Sequence, residues 1–361
     1  MIVKGIFSKN QYNELAERMI NEARDTIFIS MGYCKGGSFK IMLEKLVDKV
    51  LKDKVDVYIV ADVTFLKEKY KMELDIFSSY FNILPISMEL SKCRFFPWIH
   101  YNSYIHSKVL MVDSKCMIMG SKNYTDEHIY LDDIHNTIIH TNSISFNHFR
   151  FIEFDIYIEF EEKRRNIHKN LLRMFYKEPI LPYIEYKDCK FHFLYRDIGS
   201  NYLIEEILKA KNEVLICNCQ FWTFEELYDV VDQKVKDGVS FKVLTDHSNY
   251  DITHILYKLY YYQLQNGIHL AKMNTNRLNH CKFMIIDRET LIISTNSYNK
   301  KNLKINVEHN FCIILDKSVA RELIYKLCCI FDSYEYIQKQ PSYTITNILL
   351  YPIKKFFEYI I

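Results

Sequence analysis

The sequence predicts an α/β protein made of two similar lobes, and three observations support this prediction. Strand-like and helix-like segments alternate along the 361 residues, which is typical of sheets flanked by helices. The order of these segments occurs twice. Each copy also contains the same eight-residue pattern, HxKxxxxD, first at residues 106–113 and again at 280–287.

The first copy begins with a predicted helix that leads into a strand at 27–30. The next helix, over 43–51, carries apolar residues at positions i, i+3, i+4, i+7 and i+8, the spacing of one buried helix face. A second strand over 55–60 precedes Asp62, and the first HxKxxxxD pattern follows at 106–113.

The second copy follows the same plan. A helix leads into a strand at 214–217, and a helix over 224–236 is followed by a strand over 239–244. Asp246 then takes the place of Asp62. This agreement predicts a duplicated unit, with a mixed, mainly central sheet and flanking helices in each lobe.

Two prolines, Pro179 and Pro182, interrupt a helical pattern and mark the predicted junction between the lobes. We therefore divide the chain into an N-terminal lobe over 1–178, a C-terminal lobe over 190–340, and an apolar tail over 341–361.

The composition is that of a globular protein, with 49% hydrophobic and 25% charged residues. The net charge of +2 gives no long-range basic field that would indicate a nucleic-acid partner, although a local basic cleft is compatible with it. Ten cysteines form no CxxC pairs and no signal segment precedes them, so we expect a reducing, cytoplasmic compartment.

No apolar run approaches the roughly 20 residues of a membrane span. Two features keep a peripheral membrane contact open. Cys328 and Cys329 are expected to pack in the core, with S-acylation as the alternative. The tail is expected to dock on the protein, with a position on a membrane surface as the alternative.

Both motifs place a histidine and a lysine two residues apart on a predicted strand, so the two side chains lie on the same face. Imidazole can attack phosphorus or transfer a proton near neutral pH. A lysine ammonium can bind the non-bridging phosphate oxygens and stabilise the charge of the transition state. Two such pairs would supply a nucleophile, a general acid/base and two cations.

The two motifs and their flanks, 120–123 and 294–297, resemble the paired HKD signatures of the phospholipase D superfamily. The resemblance covers most of the chain. It implies two lobes related by a pseudo-twofold axis, with one active site at their interface. The string over 279–284 is similar to a subgroup that contains poxvirus phospholipase D-like proteins and endolysosomal exonucleases. The Ile-, Lys-, Asn- and Tyr-rich composition would suit an AT-rich viral genome, and hence the cytoplasm of a host cell.

The resemblance implies a role for each motif residue. The histidines would be nucleophile and general acid/base, the lysines and the downstream polar residues would bind phosphate, and the aspartates would tie each motif into its lobe. These residues are His106, Lys108, His280 and Lys282 as catalytic groups, Ser121, Asn123, Thr295 and Ser297 as phosphate ligands, and Asp113 and Asp287 as structural groups.

The second copy departs from the family pattern, since Ser294 stands where glycine is expected and Ser297 where asparagine is expected. The family also has an acid eleven residues after the asparagine, and Glu308 occupies that place. In several relatives this acid reaches the histidine of the other lobe. On that analogy Glu308 orients His106, which makes His106 the expected nucleophile.

Three functions remain open from the sequence. The first is a metal-independent phosphodiesterase that cleaves nucleic acid, by hydrolysis or by nicking and joining, through a phosphohistidine. The second is a phospholipase D that acts on membrane phospholipids, and the third is an inactive, membrane-associated viral scaffold. We expect no cofactor, no metal at His135 and His140, and a monomer, because one chain carries both motifs.

Overall fold

Two large sheets and their helices form the two lobes of the computed structural model. The structure describes residues 1–32, 37–62, 93–98, 106–124, 128–131, 151–176, 178–194, 201–218, 225–245, 268–272, 278–295, 298 and 310–334.

The N-terminal lobe contains nine strands and three helices among the described residues. In chain order they are β1 (Ile2–Ile6), α1 (Lys9–Glu22), β2 (Thr26–Met31), α2 (Gly37–Asp53), β3 (Asp56–Asp62), β4 (Cys93–Trp98), β5 (Val109–Val112), β6 (Cys116–Gly120), β7 (His128–Tyr130), β8 (Phe151–Glu153), β9 (Asp155–Glu159) and α3 (Arg165–Tyr176).

The C-terminal lobe repeats this order. Its described elements are β10 (Tyr183–Tyr186), β11 (Cys189–Leu194), α4 (Asn201–Lys209), β12 (Glu213–Asn218), α5 (Glu225–Lys236), β13 (Ser240–Thr245), β14 (Ile268–Lys272), β15 (Leu278–Asn279), β16 (Lys282–Ile286), β17 (Thr290–Ser294), β18 (Asn310–Asp316) and α6 (Lys317–Asp332).

The two large sheets have matching topologies over seven strands, and the second has one additional edge strand, β10. The first has the strand order β1-β9-β6-β5-β2-β3-β4, and the second has the order β10-β11-β18-β17-β16-β12-β13-β14. In both, the strand that follows the HxK residues, β5 or β16, lies antiparallel between two neighbours near the middle of the sheet. The predicted α/β fold of two duplicated lobes is confirmed.

The local sequence explains how the elements begin and end. Ser8 caps α1 in a capping box with Gln11, which satisfies backbone donors at the start of the helix. Strands β5 and β16 are continuous runs of buried residues. This is the pattern expected for strands covered on both faces.

The core has three parts. Apolar residues of α1 and α2 pack on the outer face of the first sheet, and those of α4 and α5 pack on the outer face of the second. The inner faces of both sheets share one continuous core with α3 and α6. Phe283 of the second lobe, for example, packs against Phe154 of the first, with ring centroids 5.1 Å apart. The lobes are therefore held together by buried apolar contacts.

One part of the predicted junction is ordered sheet. The hairpin of β10 and β11 turns at Lys187 and joins the second sheet beside β18. Pro179 and Pro182 follow the end of helix α3, which is why the sequence indicates a linker here. Strand β11 pairs with β18, which is more than 100 residues away, and no local pattern indicates that pairing.

No helix in the described part of the chain is both long enough and apolar enough to span a membrane. The apolar tail over 341–361 lies outside the described residues.

Candidate active site

The two motif histidines face each other across the interface of the lobes. His106 lies three residues before β5, and His280 lies two residues before β16. Their rings are 6.5 Å apart between centroids and meet at an interplanar angle of 75°. Since β5 and β16 have equivalent places in their sheets, the duplicated topology brings the two motifs together at one site.

His280 makes a contact with an acid that the sequence analysis did not identify. Its Nδ1 lies 2.9 and 3.1 Å from the two carboxylate oxygens of Glu153, which is 1% exposed. Glu153 belongs to the N-terminal lobe, so the contact crosses the interface. The carboxylate fixes the ring orientation and favours a proton on Nδ1, which directs the lone pair of the neutral ring to Nε2.

A small sheet between the lobes sets up this contact. Strand β8, which ends at Glu153, pairs in parallel with β15, whose last residue precedes His280. The N–H of His280 also donates to the carbonyl of Ile152 at 2.9 Å. Glu153 is the last residue of β8, and His280 directly follows β15. The pairing of these two strands therefore brings the acid and the histidine together.

Within the described residues, the group that orients His106 is neutral. Its Nδ1 lies 2.7 Å from the carbonyl oxygen of Thr295 in the opposite lobe. The equivalent carbonyl in the first lobe, that of Ser121, also acts on His280. Each histidine therefore meets the loop after the other lobe's motif, and His280 has the Glu153 carboxylate in addition.

Both motif lysines are buried beside the histidines. Lys108 Nζ donates to the carbonyl of His106 at 2.6 Å, and Lys282 Nζ donates to the carbonyl of His280 at 2.8 Å. The two lysines are 3% and 1% exposed. These contacts curl each lysine toward its own histidine and bring two cations to the place where the rings meet.

Burial and charge set the protonation of these groups. Burial, followed by the charges of Lys108 and Lys282, lowers the pKa of His106 well below its usual value. Burial and the same two lysines lower the pKa of His280. Burial raises the pKa of Glu153 to about 7, against the lowering effect of the lysines. Both rings are therefore neutral near pH 7, with Glu153 close to its midpoint.

The predicted phosphate ligands have different surroundings. Ser121 Oγ donates to the Phe154 carbonyl at 3.2 Å and accepts from the Phe154 N–H at 2.9 Å. Thr295 Oγ1 accepts from the Phe311 N–H at 3.0 Å. These hydroxyls fix the following strand in each lobe, and their role as phosphate ligands stays a prediction.

Asn123 differs from these two residues. Its Oδ1 is buried and has no hydrogen-bond partner in the described part of the chain. Such an amide is suited to a ligand that is bound later. Ser297 and Glu308 lie outside the described residues, so their predicted roles remain predictions.

The motif aspartates bind backbone at equivalent turns. Asp113 accepts from the N–H groups of Arg24, Asp25 and Thr26 at 2.7–2.9 Å. Asp287 accepts from those of Lys211, Asn212 and Glu213 at 2.7–2.9 Å. Each aspartate ties the hairpin after its motif to the segment that enters the neighbouring strand.

The sequence contained only an indirect signal for Glu153. The family spacing of eleven residues after Asn123 leads to Ile134, whereas Glu153 lies 30 residues after Asn123. The sheet register also shows that Glu308 is not the counterpart of Glu153. The N–H of Ser121 binds the Phe154 carbonyl and that of Thr295 binds the Phe311 carbonyl, so Asn310 occupies the place of Glu153 in the second lobe. The available clue was an acidic residue inside the apolar, strand-like run over 151–158.

The residue inside each motif contacts the neighbouring strand. Ser107 Oγ donates to Ser30 Oγ at 2.8 Å in the first lobe. The equivalent residues of the second lobe are Cys281 and Cys217, which interact through their thiols. Both pairs lie behind the histidine and lysine and pack the motif strand onto its neighbour.

The other residues considered from the sequence lie away from this site or outside the described residues. No group of three His, Cys, Asp or Glu side chains that could hold a metal occurs within the described ranges, and His135 and His140 fall outside them. Cys328 is buried in the shared core, whereas Cys329 is exposed.

Comparison with known proteins identifies the family. A family model described as "Cardiolipin synthase, PLD-like domain" matches residues 17–150 and 203–333, one match in each lobe. No curated protein matches the sequence.

Two solved structures show the same fold. Phosphatidylserine synthase from Haemophilus influenzae Rd KW20 is similar with a TM-score of 0.74 at 10% identity, covering 99% of this chain and 92% of that chain. Polyphosphate kinase from Porphyromonas gingivalis is similar with a TM-score of 0.60 at 11% identity, covering 99% of this chain and 53% of that chain. The phospholipase D family member Nuc from Salmonella typhimurium has a TM-score of 0.35 at 18% identity, covering 42% of this chain and 99% of that chain.

The family match covers most of both lobes and includes both HxKxxxxD motifs. The chain therefore belongs to the phospholipase D superfamily, with one phospholipase D-like domain in each half.

Proposed function

We propose that this protein is a metal-independent phosphodiesterase that works through a phosphohistidine, and that its substrate is a nucleic acid. The observation that carries the enzymatic part is the pair of facing rings, His106 and His280, with a carboxylate on one of them. Two imidazoles and two buried lysines supply a nucleophile, an acid/base and countercharge, which are the groups that phosphodiester cleavage needs.

The Glu153 contact favours His280 as the nucleophile. The sequence-based expectation chose His106 on the principle that the acid-oriented histidine attacks phosphorus. Among the described residues the carboxylate is on His280, so the same principle now favours the other ring. A carboxylate at Nδ1 increases the electron density at Nε2 and stabilises the positive phosphoimidazolium that forms.

The reaction then has two balanced steps. Nε2 of His280 attacks phosphorus, the bond to the leaving oxygen breaks, and that oxygen takes a proton from His106. His106 next accepts a proton from water, the water oxygen attacks phosphorus, and the phosphorus–nitrogen bond breaks to regenerate His280. Lys108 and Lys282 neutralise the non-bridging oxygens in both steps.

His106 must be protonated before it can act as the acid. Its pKa is low in the empty site because of burial and the lysine charges. A bound phosphodiester brings one negative charge, which raises the pKa of both histidines. Substrate binding thus prepares the acid for the first step.

The nucleic-acid assignment rests on the string over 279–284, which is similar to that of the exonuclease-containing subgroup. Phospholipid headgroup transfer or hydrolysis is the second candidate. It is supported by the description of the matching family model and by the likeness to a phosphatidylserine synthase along nearly the whole chain. An inactive scaffold is disfavoured because both motifs are complete.

We also propose that the protein acts as a cytoplasmic monomer with peripheral membrane contact. If a cysteine carries a lipid, Cys329 is the accessible thiol of the adjacent pair, since Cys328 is packed in the core. The apolar tail over 341–361 is the other segment proposed to contact a membrane.

A substrate panel tests the proposed function. The parent protein, Lys108→Ala and the surface control Lys115→Ala are incubated with EDTA and labelled single-stranded DNA, duplex DNA, RNA or phosphatidylcholine vesicles. We expect cleavage of a nucleic acid by the parent and Lys115→Ala, with a loss of about 100-fold or more in Lys108→Ala. Headgroup release instead would establish the second candidate. Inactivity on every substrate would contradict the enzymatic proposal and favour the scaffold.

A further inference from the structure

A second buried acid, Asp155, lies two residues after Glu153 and is also 1% exposed. Tyr130 donates its hydroxyl to Asp155 Oδ2 at 2.5 Å, and the backbone N–H of Lys122 donates to Oδ1 at 3.2 Å. Lys122 lies in the loop over 120–124 that follows the first motif. Asp155 thus connects the strand after Glu153 to the loop that carries Asn123.

The loop is shaped around this carboxylate. A Cβ placed on Gly120 would overlap Asp155 Oδ1 and the Phe154 carbonyl oxygen. The Cα of Asp155 is also too close for a Cβ, so glycine is required here by the approach of the backbone over 154–155 as well as by the carboxylate. Ser121 then fixes the backbone of Phe154 through both its N–H and its hydroxyl. Glycine, serine and aspartate together hold the loop against the strand that bears Glu153.

The second lobe has a different pair at the equivalent place. Gly120 pairs with Asp155 in the first sheet, and Ser294 pairs with Cys312 in the second. The carboxyl is therefore replaced by a thiol, and its charge is absent. Asp155 therefore has no acidic counterpart in the second lobe, where Cys312 takes its place.

The surroundings of the two carboxyls are rich in charged and titratable groups. The groups that act on them or face them from the described elements are His280, Lys108, Lys122, Lys282, Tyr12, Tyr124 and Tyr130. Lys122 Nζ also lies 4.0 Å from the centroid of the Tyr12 ring. Three ammonium groups thus accompany the two carboxyls.

We propose that Asp155 is a positioning residue that acts through Glu153: it holds the 120–124 loop, and its charge sets the pH at which the Glu153–His280 pair changes protonation. The catalytic meaning of this inference rests on the proposed function. The electrostatic part does not, because it concerns two carboxyls of the free protein.

The charges of the two acids oppose each other. Burial is the main cause that raises the pKa of Asp155 to about 6, and the charge of Glu153 is the next. A Coulomb interaction is mutual, so an ionised Asp155 opposes the ionisation of Glu153 by the same energy. Removal of the Asp155 charge should therefore let Glu153 ionise at lower pH.

Carboxyl ¹³C NMR of substrate-free protein tests this directly, with the Glu153 signal assigned by its loss in Glu153→Gln. We expect its midpoint to fall by about one pH unit in Asp155→Asn, which keeps an acceptor for the Lys122 N–H. The matched control is Glu159→Gln, which removes a charge from the same strand four residues further on. Its Glu153 midpoint should equal that of the parent.

An unchanged Glu153 midpoint in a folded Asp155→Asn protein would overturn the proposal. If that variant does not fold, Asp155→Cys introduces the residue of the second lobe and is read in the same way. The parent alone gives a third measurement, since the Glu153 and Asp155 signals should titrate in coupled steps. Independent single-step curves would also contradict the inference.

Kinetics separate this proposal from the proposed function. With a substrate that the protein cleaves, the acidic limb of kcat/KM against pH, which reports the free enzyme, should move down with the NMR midpoint in Asp155→Asn. A protein that cleaves nothing but shows the NMR shift would contradict the proposed function and leave the electrostatic role intact.

Discussion

At the scale of single residues, Glu153 is the most informative side chain of the site. It is an acid whose ionisation is opposed by burial, yet it contacts the imidazole of His280, the proposed nucleophile. Folding tolerates this cost because the lysines and His280 offset part of it. Such a group is expected to assist function at the expense of stability.

Glu153→Gln should therefore lower activity and raise stability. The amide still accepts from His280 Nδ1 but carries no charge, so we expect kcat at pH 8 to fall about 100-fold. The acidic limb of kcat/KM against pH in the parent, with a midpoint near the Glu153 pKa of about 7, should disappear. Steady-state kinetics between pH 5 and 9 measure both effects.

The stability effect has a definite sign. The pKa of Glu153 is about 7 in the folded protein, whereas its ordinary value is 4.5, so the folded state holds the extra proton between these values. The free energy of unfolding of the parent therefore falls as pH rises through this window, by about 3 kcal/mol. Glu153→Gln should match the parent at pH 4.5 and exceed it at pH 8 in urea unfolding. A variant that is less stable at pH 8 would contradict this account.

At the scale of elements, the hairpins β5–β6 and β16–β17 are the units that carry the motifs. Both turn through two residues of positive φ, Asp113 with Ser114 and Asp287 with Arg288. Aspartate tolerates this conformation and also has an acceptor for the backbone of the neighbouring segment. One residue thus shapes the turn and anchors the motif strand.

Asp287→Ala should reduce the free energy of unfolding by about 2 kcal/mol, because three backbone N–H groups lose a shared acceptor. Asp287→Asn keeps an acceptor and should lose less. Asp229, an exposed residue of α5, gives the control: Asp229→Ala should change stability by less than about 0.5 kcal/mol. Urea unfolding at pH 7 measures all three, and equal stability of Asp287→Ala and the control would contradict the anchoring role.

Burial raises the pKa of Asp287, but the three backbone donors lower it by a larger amount, so the pKa lies below its ordinary value. Its stabilising contribution is therefore present above the unfolded pKa of 3.8 and is lost as pH falls through the lower folded value. The difference between parent and Asp287→Ala should shrink in acid.

At the scale of the whole molecule, neither lobe contains a complete site. Each histidine is oriented by a group of the opposite lobe, the Glu153 carboxylate for His280 and the Thr295 carbonyl for His106. The shared core between the inner sheet faces holds these contacts at a fixed distance. Among the described residues the two histidines have unequal partners, which is the basis of the unequal roles proposed for them.

Trapping of the phosphoenzyme tests this division of roles. We expect covalent phosphate label in His106→Ala, which retains the proposed nucleophile, and none in His280→Ala. A reaction with a substrate that has a good leaving group is stopped in alkaline detergent, because phosphohistidine hydrolyses in acid. Mass spectrometry of the peptides at alkaline pH then locates the label. Label in His280→Ala and its loss in His106→Ala would reverse the assignment and support the sequence-based expectation.

The duplication, the α/β class, the family and the residues of both motifs can be read from the amino-acid order alone. These features are local: apolar periodicity and an eight-residue pattern are readable without knowing what pairs with what. The partners of the motif residues depend instead on contacts across long separations. Glu153 meets His280, 127 residues further along the chain, because β8 pairs with β15. Asp155 fills the space that a side chain on Gly120 would occupy because of strand register. No local pattern encodes those pairings, since they are fixed by packing the two lobes into one core.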